Sequence, residues 1–135
     1  MDKMNDSHQT QLAAACLLLS VAEADELFDQ QELDTINNIL KDFFSIADNE
    51  VHKLIHEAKD KLENSIGLFE FGQHLNLEFN HSDRIDFISC IFEVAYADGE
   101  LHYLEHHTIK KIANILNLHR DEIINAKAEI ENFLD

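Results

Sequence analysis

Val94-Ala-Tyr-Ala-Asp-Gly-Glu-Leu-His-Tyr-Leu-Glu105 closes one apolar stretch and opens the next, and it has an earlier counterpart 73 residues upstream, at Val21-Ala-Glu-Ala-Asp25 with Glu32. Seven residues after each Asp stands a Glu, Thr35-Ile36 meets Thr108-Ile109, and Ile39 meets Ile112, so that eight of the 19 positions from 21 to 39 are identical. Two copies at this period indicate a duplicated unit; a solenoid needs at least three repeats. Each copy reads as helix, acidic turn, helix, followed by a third helix. The units span about 7–64 and 82–134, and the expectation is that a pseudo-two-fold relates them, with one further helix as connector.

Working outward, apolar residues recur at helical spacing along nearly the whole chain. Leu12, Ala15/Cys16, Leu19 and Ala22 line one face of a first helix over roughly 7–24; Leu33, Ile36, Leu40 and Phe43 mark a second, and Val51, Leu54/Ile55, Ala58 and Leu62 a third. The stretch from Ile66 to Phe79 is less regular, with Gly67 and Gly72, but still reads as a helix. Ile85, Ile88, Phe92 and Ala95 give a fifth, Leu104, Thr108, Ile112 and Ile115 a sixth, and Ile123, Lys127, Ile130 and Leu134 a seventh. No stretch alternates with period two for long enough to compete as a strand. The chain is therefore expected to be all-α, a single domain over 1–135 built from about seven short helices. Start signals agree: Asp29-Gln-Gln-Glu32 has the form of a capping box, Ser82-Asp83 is a similar N-cap, and Asp48-Asn49-Glu50 brings carboxylates to the positive end of the third helix.

Composition limits the function classes. The 135 residues carry 27 Asp and Glu against 10 Lys and Arg, a formal net charge of −17. Binding of nucleic acid or of an anionic membrane surface needs clustered Lys and Arg, so neither is expected. The 45% apolar content is that of a folded domain and sets the chain apart from an acidic disordered tail. The longest apolar runs, such as Leu12–Leu19, fall short of the ~20 residues that span a bilayer, and the polar start lacks a secretory pattern. Cys16 and Cys90 lie within apolar helical stretches and read as small hydrophobes in a reducing compartment, with the cytoplasm as the expected location.

The acidity has an address. Segments 23–34 and 93–105 hold ten of the 27 acids and no Lys or Arg. Asp98, Gly99, Leu101 and Glu105 fall on the later positions of a calcium loop, but Val94 and Tyr96 occupy the first two ligand positions and offer no ligand, and the first copy departs in the same way. Two readings of the carboxylates remain. In one, Gly99 supplies a left-handed turn, Leu101 packs inward, and Glu32 and Glu105 are the third residues of their helices, serving as caps. In the other, Asp25, Glu32, Asp98 and Glu105 converge near the two-fold and hold a divalent cation, because four carboxylates crowd together only with a cation or with raised pKa values. His102 and His106, and His52 and His56, are spaced i,i+4, as in transition-metal sites; His102, Glu105 and His106 together would suit a metal-dependent hydrolase. Nucleophile-elbow, phosphate-loop, dinucleotide and zinc-protease motifs are missing, so no catalytic residue is assigned and no enzyme is expected.

With its Val94-Ala-Tyr-Ala-Asp-Gly-Glu-Leu101 run, Glu105, and Ile112-Ala-Asn-Ile-Leu-Asn-Leu118, the sequence resembles the TerB-like domain family, which takes in tellurite-resistance proteins and the N-terminal part of DjlA-type co-chaperones. The first copy echoes the pattern at Ala22-Glu-Ala-Asp25, Phe28 and Glu32. Two departures stand out: Glu26 replaces the first glycine, and His102-Tyr103-Leu104 lies where the family often has Ser and acids. The resemblance implies an all-α fold, a role in stress-related or membrane-associated complexes, and an ion site at the matching positions Asp25, Glu32, Asp98, Gly99 and Glu105. Together these readings give an expected non-enzymatic acidic module that acts through a protein partner with a basic surface or through a divalent cation, with a homodimer as a further possibility.

Overall fold

Among the residues that the computed structural model describes (2–24 and 29–134, with side chains over 8–24 and 29–133), seven helices follow one another without a strand. They are α1 (Asp2–Ala22), α2 (Gln30–Phe44), α3 (Asp48–Glu63), α4 (Phe69–Glu78), α5 (His81–Ala95), α6 (Tyr103–Ile115) and α7 (Arg120–Leu134). The all-α reading is correct, and the repeat shows in the element bounds. α1 and α5 end on Ala22 and Ala95, and α2 and α6 begin on Gln30 and Tyr103, each pair 73 residues apart.

α1 is the central post. It packs against α2, α3, α4, α5 and α6, most closely against α3 and α4. Leu12 to Leu19 are all buried, as are Val21 and Ala22. This corrects the expected single apolar face: a helix surrounded by neighbours buries its whole circumference. Small residues make the surround possible. Ala13, Ala14, Ala15 and Cys16 let the partner helices come near, and the Cys16 thiol lies 3.6 Å from the Ala58 carbonyl of α3. Burial pushes that thiol up to about 12, so Cys16 stays protonated and inert.

The other helices present the expected stripes except α6, where Leu104, expected on the apolar face, is exposed because the buried face is turned toward Ile109 and Ala113. α2 buries Ile36, Ile39 and Leu40, α3 buries Val51, Leu54, Ile55 and Ala58, and α6 buries Ile109, Ile112 and Ala113. A ring cluster fills the space between α2 and α5. Phe43 lies 5.5 Å from Phe79 and 6.0 Å, edge-on, from Phe87.

Local contacts set the start of α5 and the seat of α4. α5 begins at His81, earlier than Ser82-Asp83 suggests, because the Asn80 side chain accepts the Asp83 N–H at 2.8 Å and caps the helix. α4 lies against the C-terminal end of α6. A Cβ on Gly72 would come within 2.3 Å of Ile115 Cγ2, so only glycine permits this approach. The freed carbonyls at that end of α6 are taken up by Asn76, which donates to Ile115 O at 2.8 Å, and by the Arg84 guanidinium, which donates to Leu116 O at 2.9 Å. A cation at a helix C-terminus also complements its dipole.

Candidate functional site

The turn between α5 and α6 is built by local hydrogen bonds. Tyr96 caps α5, its N–H reaching Phe92 O at 2.9 Å, and Gly99 donates to Tyr96 O at 2.8 Å. Gly99 has φ +98°, a conformation that side chains rarely adopt. Asp98 organises the residues just beyond it: its carboxylate accepts the Glu100 N–H at 3.1 Å and the His102 Nε2 at 2.9 Å. Partial burial pushes the Asp98 carboxyl up, but the His102 ring and the Glu100 amide outweigh it, and the group is held below its ordinary range. Asp98 is therefore ionised, with its side chain 23% exposed.

α6 opens with Glu105 as its third residue. Its Oε1 accepts the His102 N–H at 3.1 Å, and the side chain is fully buried. α2 opens in the same way. Asp29 accepts the Gln31 N–H at 2.9 Å and presents its own N–H to Glu32 Oε1 at 3.4 Å, and Glu32 is 1% exposed. Both glutamates are helix caps, which is the first of the two readings of the sequence. Leu101 packs partly against the core, as expected.

Of the expected ligand set, Glu32 and Glu105 are buried in their caps, and Asp98 accepts from His102 and the Glu100 amide. Among the described residues, no group of three or more His, Cys, Asp or Glu stands where it could hold a metal ion. Asp25 lies outside the described residues. His102, Glu105 and His106 are not brought together either. His102 sits at the N-cap with its ring on Asp98, Glu105 is buried in the cap, and His106 is half-buried on the helix. Burial, then Lys127 and Lys110, hold the His106 ring below its ordinary range and therefore neutral at pH 7. The constellation for a metal-dependent hydrolase is thus not assembled. His52 and His56 are exposed on α3, along an open depression shared with Lys53, Glu57, Lys59 and Asp60.

Three features escaped the sequence reading. Tyr96, at the end of α5, donates its hydroxyl to Glu131 of α7 at 2.7 Å, which ties the turn to the last helix. Asp86 and Glu93 lie near Cys90 on α5 and face Asp42 of α2. Burial pushes the Cys90 thiol up to about 12, with Glu93, Asp86 and Asp42 adding to it. Burial and then Asp42 also raise the Glu93 carboxyl above its ordinary range. The i, i+4, i+7 spacing of Asp86, Cys90 and Glu93 was the available signal. Finally, Tyr103 and Leu104 project from the first turn of α6, 82% and 48% exposed.

No described helix is long and apolar enough to cross a membrane. No curated protein and no solved structure matches the chain. The model of the family described as tellurite resistance protein TerB matches residues 11–128, a span that contains both A-x-A-D motifs and both buried caps. The chain belongs to the tellurite resistance protein TerB family.

Proposed function

We propose that this protein is a non-enzymatic acidic module of tellurite-related stress physiology that works by binding a protein partner with a basic surface. The observation that carries this reading is the segment from Glu93, in the last turn of α5, to Glu105, in the first turn of α6: it has four acids and no Lys or Arg, and its Asp98 is held ionised by His102 and by the Glu100 amide. Glu32 and Glu105 serve the fold as caps and leave Asp98 and Glu100 as the groups that meet a partner. Opposed charge of this kind raises association rates and makes binding sensitive to salt. The test is titration with a fluorescent Lys/Ser peptide at low and at physiological salt. Binding should weaken steeply with salt and should drop in the charge-reversed Asp98→Lys/Glu100→Lys protein. Association unchanged by that reversal would end the reading.

A divalent cation at the A-x-A-D segments is the second reading, favoured by one observation: the Asp98 carboxyl is held below its ordinary range and so offers an anionic ligand. Asp25 and Asp98, at matched places in the two copies, are its proposed ligands. Calorimetric titration of Ca²⁺, Mg²⁺, Mn²⁺ and Zn²⁺ into chelator-treated protein checks it, with Asp25→Ala/Asp98→Ala as the control. Absence of heat and of any shift in melting temperature with all four ions would retire it.

A further inference from the structure

We propose that Tyr103 and Leu104 form, with Asp98 and Glu100, the docking surface for a basic amphipathic segment of another protein, one that presents an apolar side chain flanked by Lys or Arg. The proposal rests on the acidic-module reading above and narrows it to the second copy of the repeat. Its first support is exposure: two large apolar side chains stand in solvent on the first turn of α6, 82% and 48% exposed. Single exposed apolar residues are common on folded proteins, so exposure alone carries little.

The second support is a control that the protein itself contains. At the same two places in the first copy stand Gln30 and Gln31, both exposed, on a helix that starts from the same kind of cap with the same buried glutamate. The fold therefore has no need of apolar residues at these positions. Tyr103 and Leu104 contribute little to the core and are set beside the acidic turn for a reason outside it.

The third support is rigidity. The Gly99 turn, the Asp98–Glu100 and Asp98–His102 hydrogen bonds, and the His102–Glu105 cap fix the segment that carries the pair. A surface already ordered in its binding conformation loses little entropy when a partner arrives. Tyrosine also suits the task, since it supplies contact area and its ring face attracts cations.

Charge selects the occupant. Asp98 and Glu100 precede the apolar pair by three to six residues, and no Lys or Arg occurs between 93 and 105. The nearest cations of the chain that follow are Lys110 and Lys111, about two turns further along α6. A second copy of this chain, itself of net charge −17, would be repelled, whereas a segment with Lys or Arg around an apolar residue matches both halves of the patch.

The test uses the full chain and two fluorescent helical peptides of equal charge, one of Lys and Leu, the other of Lys and Ser. The wild-type protein should bind the Lys/Leu peptide at least ~10-fold more tightly, each such factor being about 1.4 kcal/mol. Tyr103→Gln/Leu104→Gln, which installs the residues of the first copy, should remove that preference and leave Lys/Ser binding and the melting temperature unchanged. Phe69→Gln/Leu77→Gln, which strips two other exposed apolar residues, on α4, should preserve the preference. Equal binding of the Lys/Leu peptide by the wild-type and the Tyr103→Gln/Leu104→Gln proteins would overturn the docking surface while leaving the acidic-module reading intact. Failure of both peptides to bind would overturn both.

Discussion

At the start of α2 the N-cap and first three helical residues are Asp29, Gln30, Gln31 and Glu32; at the start of α6 they are His102, Tyr103, Leu104 and Glu105. The last residue of each set is a glutamate, buried, accepting the N–H of the cap residue. The two between are exposed in both copies, but amides in one and apolar in the other. The two junctions share the buried cap and differ in the exposed pair between. The comparison thus separates structural residues from candidates for function without any other sequence.

The largest expected effect tests the shared part. Glu105→Ala removes the acceptor for the His102 N–H and leaves a cavity where a buried side chain stood, and Glu32→Ala does the same in α2. Cap loss and partial cavity formation together should cost about 2–3 kcal/mol in each case. Urea denaturation of the two variants should give costs within about 1 kcal/mol of each other, inside the usual context dependence of cap energies. A loss below about 0.5 kcal/mol at either position, the range of ordinary surface substitutions, would mean that the glutamate is not a structural cap.

A second substitution probes the element that lies outside the duplication. α4 has no counterpart in the repeat, yet it is fitted to α6 at Gly72, where a Cβ would meet Ile115 Cγ2 at 2.3 Å. Gly72→Ala should cost about 1–3 kcal/mol through overpacking, with a lower urea midpoint. The companion Gly72→Ala/Ile115→Ala should recover part of that loss by opening the space. If the single substitution is neutral, α4 is not held where the Gly72 contact places it.

Much of this architecture was legible in the sequence, and the limits are physical. Stripes of period 3.6 mark six of the seven helices, and Asp29-Gln-Gln-Glu32 announces its own cap, because both are local properties. The Leu12–Leu19 run could not say how many neighbours α1 has: a one-sided stripe and an all-round apolar helix share the residues Leu12, Cys16 and Leu19, and only packing distinguishes them. The same holds for the site. That Glu32 and Glu105 follow caps by three residues is visible in the chain, but whether Asp25, Glu32, Asp98 and Glu105 meet depends on where the two units lie in space, which no local pattern encodes. Exposure of Leu104 was likewise hidden, since at the head of a stripe with Thr108, Ile112 and Ile115 it reads as core until the helix is oriented.

Asp98 gives a smaller effect with a defined pH dependence. Its folded-state pKa lies below the ordinary value of 3.8, so the stabilisation it provides is fully present above about pH 4 and fades as the pH falls through the lower, folded value. Asp98→Asn should therefore lower stability by about 1 kcal/mol at pH 7, the typical worth of such hydrogen bonds. The gap between wild type and variant should narrow at pH 3, read from urea midpoints at the two values. A gap that is constant from pH 7 to pH 3 would show that the charge of Asp98 does not hold the turn.

The smallest effect on stability is the one that sharpens the comparison most. Tyr103→Gln/Leu104→Gln makes the second junction match the first, and Gln30→Tyr/Gln31→Leu makes the first match the second. Both pairs are exposed and both caps stay intact, so each exchange should change the unfolding free energy by no more than about 0.5 kcal/mol. Denaturation curves of the two exchanged proteins, overlaid on the wild type, provide the check. A large loss from Tyr103→Gln/Leu104→Gln would mean that the apolar pair belongs to the packing of α6, and its exposure beside Asp98 and Glu100 would need no partner to account for it. Near-neutrality in both directions leaves binding as the property in which the two junctions can differ, because a side chain that the fold neither buries nor requires can act only on what approaches from outside.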